Sequence, residues 1–97
     1  MKVSILKLAR NDLQEIHRYL SDFGDTPPRK FRDSFEKFCG QVSNMPHIFP
    51  QYRHMIHYRR AVLVYDYLVF YRIDEEKNLV KVYRVLHGKR NVGALLD

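Results

Sequence analysis

The chain has 97 residues, of which 17 are Lys or Arg and 11 are Asp or Glu, so its formal net charge is +6 at pH 7. A chain of this length is expected to form a single domain over residues 1–97 with one core, and its 45% hydrophobic content argues against disorder. The positive charge favours a polyanionic partner (nucleic acid, an anionic membrane or an acidic protein) without choosing among the three.

The single cysteine excludes an internal disulfide. Cys39 stands among Phe35, Phe38 and Val42, and this setting predicts a small buried hydrophobic residue rather than a reactive thiol. The N-terminus does not resemble a signal peptide, and no stretch approaches the roughly 20 apolar residues of a membrane span. We therefore expect a cytoplasmic protein with no membrane partner.

The first elements are a short strand and a helix. Residues 2–6 alternate weakly around Val3 and Ile5, which predicts the strand. Asp12 and Glu15 lie in the early turns of the helix, where carboxylates suit the helix dipole, and Gly24 predicts its end. The helix itself is predicted from apolar residues that share one face: Ala9, Leu13, Ile16, Leu20 and Phe23.

A second amphipathic helix follows a short turn. Thr26 is the expected N-cap, because the prolines that follow it are tolerated in a first helical turn. Met45 and Pro46 end the helix. Its apolar face is formed by Phe31, Phe35, Phe38, Val42 and Met45. Two such helices with a short connection predict an antiparallel helical hairpin.

The second half of the chain has β character. Residues 47–57 are read as a loop that leads into a strand, Gly88 ends the last strand, and residues 94–96 are expected to form a short helix or tail. The strands are predicted over 58–64, 67–73 and 79–86 from aromatic and β-branched residues. The fold class is therefore α+β: an N-terminal strand, an antiparallel helical hairpin, and a three-stranded antiparallel meander that forms one sheet.

Three strings in this order resemble the RelE/ParE family of toxins from type II toxin–antitoxin systems, and the ParE-type members more closely. The first is residues 9–16 (ARNDLQEI) with Tyr19. The second is the YRR of residues 58–60 with YLVFYRI at 67–73. The third is YRVLHGKRN at 83–91.

The resemblance implies a toxin that is neutralised by a cognate antitoxin, whose C-terminal part wraps around it. It implies contact with operator DNA only through the antitoxin, since no helix-turn-helix signature is present in this chain. Two toxic activities occur in the family. ParE-type members inhibit DNA gyrase, and RelE-type members cut messenger RNA in the ribosome. No cofactor is implied by either.

Metal-free RNA cleavage needs a group that activates the ribose 2′-OH, cations that stabilise the phosphorane, and an acid for the leaving oxygen. Tyr83 also offers a ring on which a base can stack. Arg59 and Lys89 add further cations. The candidate residues for such a site are His57, Arg60, Arg72, Tyr83, Arg84, His87 and Arg90.

One position favours gyrase inhibition over cleavage. RelE-type nucleases resemble GDYRVIYEI in this region, with an arginine that contacts the scissile phosphate, and Leu68 stands at that position here. Arg72 lies four residues further on, about 13 Å along a strand, so it is too far away to take the place of that arginine by simple substitution. We expect a ParE-like gyrase inhibitor. A ribosome-dependent mRNA endonuclease and an inactive antitoxin-binding member remain the alternatives.

The resemblance also indicates where the partners bind. The C-terminal region matters for toxicity in the family, so the expected target-binding residues are Leu86, His87, Lys89, Arg90 and Asn91. Apolar residues of the two helices are expected to line a groove that binds the antitoxin. They are Leu13, Ile16, Leu20, Phe23, Phe31, Phe35 and Phe38. His47, His54 and His57 share a segment, but no carboxylate or second cysteine stands at ligand spacing, so no metal site is expected.

Overall fold

The computed structural model describes residues 1–96 and confirms the predicted α+β order. No helix in the described range is both long and apolar enough to cross a bilayer. The elements are β1 (Lys2–Ile5), α1 (Lys7–Ser21), α2 (Thr26–Asn44), β2 (Gln51–Tyr52), β3 (Met55–Val62), β4 (Tyr67–Asp74), β5 (Leu79–His87) and α3 (Val92–Leu96). A 3₁₀ turn, Val64–Asp66, joins β3 to β4.

The strands form one five-stranded mixed sheet in the order β1-β5-β4-β3-β2. The predicted antiparallel meander is its centre, while β1 adds to the edge in parallel with β5, with Ile5 opposite Val82. The two-residue β2 was not predicted, and β3 begins at Met55 rather than at Tyr58. Both differences come from the pairing of Tyr52 with Met55, a contact between strands that no local period encodes.

The helical hairpin packs on one face of the sheet, called here the hairpin face. Its apolar stripe meets alternate residues of the strands, such as Val69, Val80 and Val82, which are fully buried. Phe38 packs edge-on against Tyr71 with ring centroids 5.5 Å apart, and the Tyr71 hydroxyl donates to the Pro46 carbonyl at 2.8 Å. The hairpin is thus held where α2 ends.

The caps of the helices differ from the prediction. Thr26 is the first residue of α2 rather than its N-cap, and Asp25 stands at the cap position without a side-chain hydrogen bond. The prolines that follow Thr26 have no backbone N–H, so this first turn has fewer donors for a capping side chain to satisfy. α1 ends at Ser21, and Gly24 takes a positive φ of 106° in the turn that follows.

A bulge in β5 changes which side chains share a face. Phe70 pairs with Arg84 and Tyr71 with Val82, so Tyr83 is an extra residue on β5. Val82 and Val85 are both in the core on the hairpin face as a result, while Tyr83 packs against Tyr58 on the other face, called here the open face.

The open face carries a second apolar cluster, beneath α3. We call it the tail cluster, and its buried members are Phe70, Leu86, Val92 and Leu96. Leu68 and Leu95 pack against it partly buried. The short terminal helix predicted from residues 94–96 therefore exists as α3, and it covers part of the open face instead of extending away from the sheet.

Candidate functional site

The structure separates the sequence-predicted site residues between the two faces of the sheet. His87, Lys89 and Arg90 line a cleft on the hairpin side. Arg60, Arg72 and Tyr83 lie on the open face among other tyrosines. The separation follows from the alternation of side chains along strands, together with the bulge at Tyr83.

The cleft has a volume of about 820 Å³ and lies between α1, the start of β4 and the end of β5. Ile16, Leu20 and Val85 contribute buried apolar surface to it. Tyr19 and Phe23 stand on the α1 wall with 58% and 64% of their surfaces exposed, and their rings meet edge to face at 5.3 Å. Exposed aromatic rings beside a concave apolar surface are typical of a protein-binding site.

The opposite wall of the cleft is a basic turn after β5. His87 packs edge-on against Tyr67 at 5.2 Å, and its Nδ1 accepts a hydrogen bond from the Lys89 backbone N–H at 3.2 Å. The Gly88 N–H donates to the Asp66 carbonyl at 2.9 Å. A Cβ on Gly88 would lie 3.2 Å from that same carbonyl, so glycine suits this close approach.

The turn that receives Gly88 has an unusual backbone. Tyr65 and Asp66 both have φ values of 62°, a left-handed conformation that costs a non-glycine residue roughly 1–2 kcal/mol. This geometry places the half-exposed Tyr65 on the cleft wall, facing the same space as Tyr19. The cleft is therefore lined by aromatic side chains on both sides.

Behind the cleft, Asp12 forms a buried ion pair with Arg84. The Arg84 Nε and Nη2 atoms donate to the two carboxylate oxygens at 2.8 and 2.9 Å. The Val85 N–H donates to the same carboxylate at 2.9 Å. The hydrogen bond to Asp12 raises the pKa of Arg84 above its ordinary value. Asp12 was expected in an early turn where it would suit the helix dipole, but the first turn of α1 has no acidic residue, and Asp12 instead joins α1 to β5.

The open face carries a row of arginine and tyrosine side chains. The Arg72 guanidinium lies 5.6 Å from the ring centroids of both Tyr58 and Tyr83, and Arg60 lies 5.5 Å from that of Tyr52. Within residues 1–96 neither arginine has a carboxylate oxygen within 4 Å. Such cations held over aromatic rings are competent to bind anions or bases.

A neighbouring ion pair closes one end of this row. Lys81 lies 3.1 Å from Asp74, and the Lys77 backbone N–H also donates to Asp74. The backbone hydrogen bond from Lys77, followed by the interaction with Lys81, lowers the pKa of Asp74. Lys81 is therefore neutralised locally, and the free positive charge of the row comes from its arginines.

Neither Leu68 nor the remaining nuclease candidates, Arg84 and His57, complete a catalytic group on this face. Leu68 pairs with Leu86 and packs partly buried against the tail cluster. Arg84 is committed to Asp12 and to the Leu95 carbonyl, which its Nη1 reaches at 2.9 Å. His57 is exposed on β3, and within residues 1–96 its side chain makes no hydrogen bond or ion pair.

The residues expected to bind an antitoxin divide into core and surface. Phe23 is exposed on the cleft wall and Leu13 is partly buried. The other five are core residues: Ile16, Leu20, Phe31, Phe35 and Phe38. Sequence reasoning missed Tyr19 and Tyr65. Tyr19 stands four residues before Phe23, a helical spacing that places both on one face, whereas no local signal marks Tyr65.

Metal and thiol chemistry have little support in the described residues. No group of three or more His, Cys, Asp or Glu side chains in residues 1–96 is arranged to hold a metal ion. Burial, followed by the nearby charge of Glu36, raises the pKa of Cys39 to about 11, so the thiol stays protonated and unreactive near neutral pH. Cys39 packs against the core but is only partly buried, rather than fully buried as predicted.

Comparison with solved structures shows the same fold in several toxins and their complexes. The RelBE2 toxin–antitoxin complex of Mycobacterium tuberculosis is similar, with 28% sequence identity, a TM-score of 0.64, and coverage of 89% of this chain and 95% of that chain. The intact RelBE complex of E. coli has 20% identity and a TM-score of 0.67, with coverage of 92% and 98%. The chromosomal ParDE system of P. aeruginosa has 14% identity and a TM-score of 0.64, with coverage of 90% and 95%.

The sequence comparisons place the chain in a family. No curated protein matches the sequence as a relative. The model of the ParE toxins of type II toxin–antitoxin systems matches residues 3–92. This match covers most of the chain, from β1 to the start of α3, and it agrees with the fold that the solved toxins share. The chain therefore belongs to the ParE toxin family of type II toxin–antitoxin systems.

Proposed function

We propose that this chain arrests growth by binding and inhibiting DNA gyrase, without hydrolytic chemistry, and that a cognate antitoxin neutralises it. The division of the RNA-cleavage candidates between two faces of the sheet carries the proposal. His87 and Arg90 line the cleft, whereas Arg72 and Tyr83 lie on the open face. A general base, a general acid and a phosphate-binding cation must meet around one phosphate, and these residues do not.

The space that RNA would need near Leu68 is also occupied. Leu68 and Leu86 lie under α3, which buries Val92 and Leu96 against Phe70. An apolar side chain supplies neither charge nor hydrogen bond to a phosphorane. Losing one such donor typically costs about 10²–10³ in rate. The tail cluster therefore supports an inhibitor that acts by contact.

The basic turn after β5 is the proposed gyrase-binding surface. Lys89, Arg90 and Asn91 are exposed there, while Leu86 is buried and anchors the end of β5 beneath the tail. Neither cation has a carboxylate oxygen within 4 Å in residues 1–96. Unpaired positive charge on an exposed turn is well placed to contact an acidic protein surface.

We propose that the cleft takes the antitoxin, through an amphipathic segment that is apolar at its centre and acidic toward Lys89 and Arg90. The exposed rings of Tyr19 and Phe23 supply the apolar contact. Glu15 on the opposite wall directs the acidic end of the segment away from α1. Two of the similar solved structures are toxin–antitoxin complexes, which supports a partner of this kind.

A supercoiling assay with purified gyrase tests the proposed target. Toxin in excess should abolish the conversion of relaxed plasmid to the supercoiled form, and Arg90→Glu should need about tenfold more protein for the same effect, because it reverses a contact charge. Arg18→Glu, an exposed reversal on α1 that does not line the cleft, is the matched control. Normal supercoiling at an excess of wild-type toxin would refute gyrase as the target.

The arginine–tyrosine row of the open face favours RNA cleavage as the second candidate. Arg72 over Tyr58 and Tyr83 offers a cation and stacking rings in one place. If the chain cuts ribosome-bound message, primer extension on translating ribosomes should show new 5′ ends that disappear with Arg72→Gln. Uncut message beside inhibited gyrase would exclude this candidate. Continued growth on induced expression would instead indicate an inactive family member.

A further inference from the structure

The Arg84 guanidinium joins three parts of the molecule at once. Its Nε and Nη2 atoms bind the two Asp12 oxygens on α1, and its Nη1 atom donates to the Leu95 carbonyl on α3 at 2.9 Å. A guanidinium is planar, so a two-pronged bond to a carboxylate fixes its plane and the direction of its third nitrogen. The position of Asp12 therefore sets where Nη1 meets the tail.

Asp12 is itself held firmly in place. Its side chain is buried with 8% of the residue surface exposed, and one oxygen also accepts the Val85 N–H. β1 ends at Ile5 opposite Val82, so the edge of β5 beyond that point has no neighbouring strand. Asp12 supplies the missing acceptor there, which locks its carboxylate to the backbone of β5.

The tail has few other polar attachments. Within residues 1–96, two hydrogen bonds connect residues 88–96 to residues before His87: Gly88 to Asp66 at one end, and Leu95 to Arg84 at the other. α3 has five residues, and a helix this short is unstable by itself. Leu95 lies in its last turn, where the carbonyls lack helical donors, so a cationic donor is favourable.

We propose that Asp12 and Arg84 are positioning residues, which hold residues 88–96 in the arrangement that presents the basic turn to the target. Asp12 belongs to α1, which packs on the hairpin face, whereas α3 covers part of the open face. The pair therefore connects elements on opposite faces of the sheet. The functional part of this inference rests on the proposed inhibition of gyrase. The structural part, that the pair determines the placement of the tail, stands independently of the target.

Arg84→Lys separates the two roles of the arginine. A lysine ammonium keeps a charge that pairs with Asp12, but it lacks the planar fork that reaches Leu95 at the same time. In hydrogen-exchange mass spectrometry, peptides covering 88–96 should exchange about tenfold faster in this variant, as expected for the loss of one charge-assisted bond. Peptides from α2 and β4 should keep the wild-type rate. Arg18→Lys, an exposed arginine of α1, is the matched control and should leave both regions unchanged.

Asp12→Asn provides a second test from the other side of the pair. The amide keeps an acceptor for the Val85 N–H but loses the two-pronged ionic bond, so exchange in residues 88–96 should increase by a larger factor than exchange in α2. Wild-type exchange of residues 88–96 in both variants would overturn the proposal. Exchange that becomes faster by the same factor throughout the chain in both variants would overturn it too, because it would show a loss of global stability without a separate effect on the tail.

The supercoiling assay then tests the functional part. Arg84→Lys should need several-fold more protein than the wild type to inhibit gyrase, and Arg18→Lys should match the wild type. Full inhibition by Arg84→Lys with a loosened tail would overturn the claim that tail placement serves the target. If the wild-type toxin does not inhibit gyrase, the proposed function fails, and hydrogen exchange alone decides whether the pair positions the tail.

Discussion

Phe38 of α2 and Tyr71 of β4 meet edge to face at the centre of the hairpin face, with ring centroids 5.5 Å apart and almost no exposed surface on either residue. Phe23, another phenylalanine expected to contact a partner, is 64% exposed beside the cleft. The same residue type thus serves the core at one position and a binding surface at the other. Stability and partner binding can be separated by mutating each.

Truncation of Phe38 should destabilise the domain. Phe38→Ala removes a ring packed against Tyr71 and Phe49, and we expect the free energy of unfolding to fall by about 3–5 kcal/mol, since the cavity cannot collapse fully. Urea unfolding monitored by circular dichroism measures the change. Phe23→Ala is the control and should stay within about 0.5 kcal/mol of the wild type. Equal losses in the two variants would contradict the division between core and surface.

Truncation of Phe23 should instead weaken antitoxin binding. Phe23→Ala removes an exposed aromatic contact from the cleft wall, and we expect the dissociation constant for the antitoxin to rise about tenfold or more. Isothermal titration calorimetry with the purified antitoxin measures it. Leu8→Ala is the matched control, because Leu8 is similarly exposed on α1 but does not line the cleft. An unchanged affinity for Phe23→Ala would argue that the antitoxin binds elsewhere.

Breaking the Asp12–Arg84 pair should cost more than a surface ion pair does. Asp12→Ala leaves a guanidinium and the Val85 N–H without their acceptor in a largely buried setting, so we expect a loss of about 3–5 kcal/mol in unfolding free energy. The double variant with Arg84→Ala should be less destabilised than the sum of the single changes, because the stranded charge is removed. Urea unfolding of all four proteins tests this, and simple additivity would show that the two side chains do not interact.

Alkaline pH should destabilise the fold through Cys39. Its pKa rises from 9.0 to about 11 in the folded chain, so the unfolded chain loses this proton first as pH increases. The stabilisation is fully present below pH 9 and is lost as pH rises through about 11. Burial also raises the pKa of Tyr67 and Tyr71, which adds a loss of the same sign at higher pH.

Thermal unfolding between pH 8 and pH 11 checks this titration. Cys39→Ala should reduce the dependence of stability on pH between 9 and 11, and it should leave the contribution of the tyrosines in place. Slow alkylation of the native thiol at pH 8 is expected for the same reason. An identical pH dependence in Cys39→Ala and the wild type would be inconsistent with a thiol that titrates late.

Introducing an arginine at position 68 should not create a nuclease. Leu68→Arg places a cation against the tail cluster, where no carboxylate partner is present among its members, and we expect a loss of about 1–3 kcal/mol in unfolding free energy. Val62→Arg, the exposed position opposite Leu68 on β3, is the control and should be tolerated. Cleavage of ribosome-bound message by the Leu68→Arg variant would show that the tail leaves this face open.

The amphipathic periods of the helices and the runs of β-branched and aromatic residues were enough to predict the hairpin and the meander. Phe31, Phe35 and Phe38 were placed on one helix face, and all three are buried. The approximate ends of α2 and β4 were predicted as well, because proline and charged turns mark them locally. The joining of β1 to β5 was not predicted, because parallel pairing between the ends of the chain leaves no local pattern.

Local periodicity and family resemblance thus determined the elements, the membership and the residues from which the surfaces are built. Only the tertiary structure decided which of those residues share a surface. The bulge at Tyr83 determines which residues of β5 face the hairpin and which face the open side of the sheet. Asp12 binds Arg84 although 72 positions of sequence separate them. Backbone geometry is encoded by adjacent residues, whereas strand register and long-range ion pairs depend on contacts that form only when distant segments pack together.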